Sequence, residues 1–180
     1  MDFSFTEAQE KLRKEVRDFL EDEIKQGLWE PSCDAWIQDY DPAFTKRVAA
    51  KGWIGLSWPK EYGGQGLSHV ERMIVTEEML RYGAPAACHW FSDRQIGGSV
   101  LQYGTEEQKE YFLPKIIKGD LYCGLGMSET ESGSDLASLK TKAVADGDDY
   151  ILNGQKTWTS GGSFINYVYL LVHVFCPLRM

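Results

Sequence analysis

Residues 126–138 read GMSETESGSDLAS and gather side chains that can hold an anion or the polar edge of a ring. Ser128, Ser132 and Ser134 offer hydroxyls, and Gly133 lets the backbone approach a ligand closely. Backbone N–H and hydroxyl donors in such a loop can surround a phosphate. Asp135 can brace the loop through backbone N–H groups. Glu129 and Glu131 oppose anion binding unless they point away. Taken by itself, the stretch reads more plainly as a solvated turn. A second stretch, NGQKTWTSGG at 153–162, brings a different chemistry. A hairpin there would deliver Trp158 on one face and Thr159 on the other, then Ser160 beside two glycines. An indole flanked by hydroxyls can act as a platform for a planar heterocycle, with a hydrogen-bond donor at its edge. The competing reading is a core tryptophan at the end of a hairpin.

The elements that must position these stretches fall into two kinds. The first two thirds of the chain read as helices. Ser4 and Glu7 have the spacing of a capping box, as do Ser68 with Glu71 and Thr105 with Gln108. Leu12, Val16, Phe19 and Leu20 share one helical face. Asp41-Pro42 reads as an N-cap followed by proline at the first helical position, and Gly52 closes that helix. Residues 52–68, rich in glycine and aromatics, form an ordered loop. A helix from 68 to about 82 is broken by Gly83-Ala84-Pro85. A continuous helix over 86–103 follows, then one ending near Gly119. From about Leu121 the pattern turns to strands: 122–127, 140–145, 150–152, 156–160 and 167–174. Asp146-Gly147-Asp148 and Asn153-Gly154 are the turn signals, the second a strong sign of a short hairpin. The expected fold is α+β, an all-helical bundle over 1–120 followed by an incomplete, barrel-like antiparallel β domain over 121–180. Five short strands ending on an uncapped apolar run would leave an unpaired edge. The chain therefore reads as truncated, or as covered by a partner.

Size and charge narrow the function. At 180 residues the chain can hold one domain and part of another. A net charge of −8 tells against a nucleic-acid partner. The N-terminus has neither a signal core nor a transit-peptide composition, and no apolar run is long enough to span a bilayer. These features point to the cytoplasm. Cys33, Cys88, Cys123 and Cys176 are scattered and read as reduced, buried thiols. His69 and His89 have no ligand-like spacing, so no metal site is expected.

Together the two chemical stretches resemble the acyl-CoA dehydrogenase family. The resemblance rests on Gly126-Met127-Ser128-Glu129, Ser132-Gly133-Ser134-Asp135 and Ser138, then on Asn153-Gly154-Gln155-Lys156, Trp158, Ser160, Gly161 and Gly162. WPKEYGGQGLS at 58–68 and YGTEEQKEYFLPKIIKGD at 103–120 agree with it, and it extends from about residue 2 to 172. Thr130 and Glu131 depart from the proline and small residue common in relatives, and Ser160 stands where many have threonine.

The resemblance implies FAD as cofactor and oxidation of an acyl-CoA thioester to a trans-2-enoyl-CoA, with the β-hydrogen leaving as hydride to the flavin. It implies that Met127 and Ser128 lie along the isoalloxazine ring. Gly133 and Ser134 would contact the pyrophosphate, Trp158 would pack beside the ring, and Ser160 would hydrogen-bond near N5. Arg94 is a candidate for the acyl pocket, with an ion pair or helix packing as its alternative. The catalytic base is expected in a C-terminal helical domain that these residues do not include, so the chain alone is expected to bind FAD weakly and turn over poorly. An electron-transferring flavoprotein is the implied electron acceptor, and relatives form homo- or hetero-oligomers. Alternatives are a non-catalytic subunit pairing with a complete relative, or an acyl-CoA oxidase or flavin monooxygenase of the same fold.

Overall fold

The structure is a computed structural model and describes residues 4–175. The first helix, α1 (Glu7–Lys25), starts two residues later than the Ser4–Glu7 spacing predicts. Thr6 is its N-cap: the Gln9 N–H donates to Thr6 Oγ1 at 3.2 Å, and the Thr6 N–H donates to Gln9 Oε1 at 3.0 Å. Glu7 is thereby the first helical residue, in the wrong register to close a box. Val16 and Leu20 of α1 are fully buried. A short helix α2 (Ala35–Gln38), which the sequence reading lacks, precedes α3 (Pro42–Ala50). Asp41 caps α3 by accepting from the Phe44 N–H at 2.8 Å, and Gly52 leaves it at φ +73°. α4 (His69–Arg81) carries the Ser68–Glu71 capping box and α7 (Glu106–Ile117) the Thr105–Gln108 box, both as expected.

The expected continuous helix over 86–103 is three pieces: α5 (Ala87–Phe91), a π-helical turn (Ser92–Ile96) and α6 (Gly97–Tyr103). The wide turn rotates Ser92 and Asp93 inward, where both are buried. There the Cys123 N–H donates to Ser92 Oγ at 2.8 Å, and the Gly55 N–H donates to Asp93 Oδ1 at 2.9 Å. The irregular turn thus ties the helical core to the 52–68 loop and to the first strand. π-bulges of this kind are often found at functional positions. At Gly97 the helix lies directly on Trp58, so close that a Cβ would fall 2.1 Å from the indole.

Beyond α7 the chain turns to strands, which gives the α+β division. The strands are β1 (Cys123–Gly126), β2 (Lys142–Asp146), β3 (Asp149–Asn153), β4 (Tyr167–Leu170) and β5 (His173–Phe175). Their pairing is mixed, not antiparallel throughout. β2 and β3 form an antiparallel hairpin through the Asp146–Asp149 turn, but β1 pairs with β4, and β2 with β5, in parallel. The long return over 154–166 brings β4 alongside β1 in the same direction, as a parallel pair requires. Among the described residues the strands make two partial sheets and no closed barrel.

The strand expected over 156–160 does not form, and Asn153-Gly154 does not start a hairpin. Gly154 has φ +152° and presses on Thr141: a Cβ there would lie 2.6 Å from the Thr141 Cα. The chain leaves the sheet at that contact. The run 167–174 is interrupted at 171–172. The cysteines are not all buried, contrary to expectation. Cys88 and Cys123 are buried free thiols, whereas Cys33 is exposed, and Cys176 lies outside the described residues.

Candidate functional site

β1 delivers Met127 and Ser128 at its C-terminal end. Side chains of β4 lie close over Gly126, where a Cβ would meet Leu170 Cδ2 at 2.4 Å. The loop then folds on itself. Glu129 and Ser132 exchange backbone hydrogen bonds of 2.9 and 3.1 Å, and Ser132 Oγ donates to the Asp135 carbonyl at 2.7 Å. Asp135 braces the loop by accepting from the Ser138 hydroxyl, not by capping backbone N–H groups.

The two acidic side chains turn away from the loop tip. The Glu129 carboxylate is buried and accepts from Thr141 Oγ1 (2.6 Å), the Lys140 N–H (2.7 Å), the Thr141 N–H (2.9 Å) and Lys156 Nζ (2.9 Å). These donors, led by the Thr141 hydroxyl and the Lys140 amide, hold its pKa down to about 2. Glu131 pairs with Lys140 at the surface. Gly133 and Ser134 are exposed beyond the Glu129–Ser132 pair. A Cβ on Gly133 would meet nothing within 4 Å, and its φ is not positive. Neither backbone conformation nor internal packing therefore calls for glycine at this position.

The second segment meets the first along its backbone. The Thr157 N–H donates to the Ser128 carbonyl at 3.0 Å, and Lys156 Nζ donates to the Met127 carbonyl at 2.9 Å. Trp158 follows at once, with φ +54° and 73% of its surface exposed. A bulky L-residue rarely adopts that conformation, and a tryptophan that open is unusual. The core-tryptophan reading is thus excluded. A turn over 160–164 then anchors the segment to the helical unit, where Phe164 stacks on Tyr40 with centroids 4.0 Å apart. The Tyr122 N–H donates to Asn166 Oδ1 at 3.1 Å. Ser160 passes close to β1, its carbonyl 3.2 Å from where a Cβ on Gly124 would stand. Trp158 thus stands beside the strand end that bears Met127 and Ser128, while Ser160 lies against Gly124, earlier in β1. Among the described residues, none hydrogen-bonds the hydroxyls of Ser128, Ser134 or Ser160.

Arg94 lies apart from these segments, on the π-turn. It donates to Thr76 Oγ1 at 2.6 Å and sits 4.0 Å from the Trp90 ring centroid. It lines a cleft with His69, Arg72, Met73 and Thr76. A different cleft, of about 290 Å³, opens between α6, α7 and β4 and is lined by Ile96, Val100, Phe112 and Tyr167 among others. Lys156 and Thr141 escaped the sequence reading as site residues. Their partner Glu129 is 27 and 12 positions away, and no local pattern links such residues.

Residues 6–120 match the family model described as "Acyl-CoA dehydrogenase, N-terminal domain", and residues 124–175 match "Acyl-CoA dehydrogenase, middle domain". The chain belongs to the acyl-CoA dehydrogenase family. The acyl-CoA dehydrogenase FadE26 of Mycobacterium tuberculosis is 40% identical over 176 residues, covering 96% of this chain and 44% of the relative. The chain therefore spans less than half the length of that curated relative. Among solved structures, the ChsE4-ChsE5 complex from Mycobacterium tuberculosis superposes with a TM-score of 0.82 at 40% identity, covering 97% of this chain and 44% of that one. A steroid acyl-CoA dehydrogenase, Tcur3481-Tcur3483, gives 0.83 at 35% identity, covering 98% and 46%. In this member of the family, no described helix is long and apolar enough to cross a membrane.

Proposed function

We propose that residues 126–138 and 153–162 form one wall of an FAD site serving α,β-dehydrogenation of an acyl-CoA thioester to the trans-2-enoyl-CoA. The hydrogen bond from the Thr157 N–H to the Ser128 carbonyl carries this reading, because it sets the exposed indole beside the strand end that bears Ser128. The residues fit the cofactor in three respects. Trp158 offers an open flat face. Gly133 is exposed, and among the described residues nothing lies within 4 Å of where its Cβ would stand. Glu129 is turned inward and neutralised by its partners, away from an incoming pyrophosphate.

FAD, when bound, supplies the hydride-accepting ring. The chain would bind and orient that ring: Trp158 would pack beside it, Met127 and Ser128 would hold its polar edge, and Ser160 would supply a hydroxyl donor. Donors aimed at a ring edge that gains negative charge favour reduction. Gly133 and Ser134 would hold the pyrophosphate. Glu129 is no candidate for α-proton abstraction. A carboxylate with pKa near 2 is too weak a base for it. The cleft between α6, α7 and β4 is the proposed place for part of the acyl group, while Arg94 stays a weaker candidate that faces another cleft. The proposed domain boundary lies near residue 120, with the flavin-binding segments on the β side. The likeness to a steroid acyl-CoA dehydrogenase favours a ring-bearing acyl group, and the likeness to the ChsE4-ChsE5 complex favours assembly with a second chain. An electron-transferring flavoprotein is the proposed reoxidant.

Titration of the purified chain with FAD, followed by flavin fluorescence, tests the reading. Saturable binding that Trp158→Ala weakens about tenfold or more is expected, in line with about 1–3 kcal/mol for one aromatic–heterocycle stack. Absence of binding, or affinity indifferent to Trp158, would contradict it.

A further inference from the structure

Lys156 is a nearly buried cation whose ammonium faces two acceptors from the other segment. Its Nζ lies 2.9 Å from the Met127 carbonyl and 2.9 Å from Glu129 Oε1, with side-chain exposures of 9% for Lys156 and 10% for Glu129. The carboxylate is held in turn by the Thr141 hydroxyl and by the backbone N–H groups of residues 140 and 141. Lys156 is two residues before Trp158, and Met127 is the residue before Ser128. The Thr157 N–H to Ser128 carbonyl bond lies between these contacts. The indole itself is largely exposed and holds a left-handed backbone, so its own packing does little to fix it.

We infer that Lys156 and Glu129 are positioning residues: a buried ammonium–carboxylate clamp that sets Trp158 and Ser128 at the separation the flavin ring needs. The inference rests on the FAD reading above. The clamp acts through shape. Its charges cancel internally, so it adds little field at the cofactor. A buried pair contributes through its hydrogen bonds and geometry, and removing one partner leaves the other without its counter-charge. Lys140 offers a contrast within the same loop. Its ammonium pairs with Glu131 at the surface and touches neither Met127 nor Glu129 through its side chain.

The test compares Lys156→Met, Glu129→Gln and Lys140→Met in the full chain labelled with 5-fluorotryptophan. The Trp158 resonance is assigned by its loss in Trp158→Phe. Without FAD, Lys156→Met and Glu129→Gln are expected to shift or broaden the Trp158 fluorine signal while the other tryptophan signals stay in place. With FAD, each is expected to raise the dissociation constant at least tenfold, and Lys140→Met less than threefold. An unmoved Trp158 signal in a folded variant would overturn the clamp. So would a moved signal with unchanged FAD affinity, or an equal loss in Lys140→Met, which would mark a plain charge effect. If Lys156→Met fails to fold, Glu129→Gln, which keeps the side-chain shape, decides by the same criteria. If the parent chain binds no FAD, the cofactor reading fails and the positioning role with it, while the fluorine comparison still reports whether the clamp holds the indole.

Discussion

Trp158 sits in a left-handed conformation that costs a bulky residue about 1–2 kcal/mol, with no burial to compensate. Strain of this kind persists where a side chain is wanted in a particular place. Trp158→Gly is therefore expected to stabilise the FAD-free chain by up to about 1 kcal/mol, a rise of about 2–4 °C in the thermal midpoint, while weakening FAD binding about tenfold or more. Scanning calorimetry checks the first half, and a lower midpoint would show that the backbone is not strained. At this scale the sequence was partly legible. The hydroxyls and the indole stood out once two motifs were read together. The role of Glu129 did not, because a glutamate beside a supposed phosphate looks like a liability until its four donors are seen. Those donors lie 11–27 positions downstream, where no short-range rule reaches.

Elements were legible where local chemistry decides them. The boxes at Ser68 and Thr105 and the proline start of α3 follow from contacts within a single turn. Thr6 displaced Ser4 because both spacings satisfy the same pattern and only the register of α1 separates them. The π-turn at Ser92–Ile96 was invisible, since its cause lies in partners from elsewhere: the Cys123 amide and the Gly55 amide. The same holds for the missing strand over 156–160, where contact with Thr141 overrides a strong hairpin dipeptide. The π-turn gives a direct test. Ser92→Ala leaves the buried Cys123 N–H without an acceptor and is expected to cost about 1–3 kcal/mol in urea unfolding. A change below about 0.5 kcal/mol would mean that this bond does not join the helical unit to β1.

For the whole molecule, the switch from helix to strand near residue 121 was plain in the pattern of apolar residues and turns. The strand order was not, because parallel pairing of β1 with β4 depends on where a long return delivers the chain. Global stability should carry a pH signature. Burial holds the His89 imidazole down to about 3, against an ordinary 6.5, so His89 is neutral in the fold. The unfolded chain gains that proton first, and stability falls as pH drops below about 6.5. The carboxylates act in a lower window. Burial of Glu78 opposes its charge, but the hydrogen bond and charge of Arg17, with help from Arg13, outweigh it and keep the pKa lowered. Glu129 is held at about 2, against 4.5 when unperturbed. Both carboxylates stabilise the fold above pH 4.5, and that contribution is lost as pH falls toward 2. Urea midpoints should therefore decline in two stages, and His89→Gln should flatten the upper one. A midpoint independent of pH between 6.5 and 4.5 in the parent chain would contradict the buried neutral imidazole.

The most direct test of the account is amide hydrogen exchange of the chain with and without saturating FAD. Protection should appear at 126–138 and 153–162 together, with α1, α3 and α4 unchanged. Protection of only one of those stretches, or protection centred elsewhere, would contradict a shared flavin site.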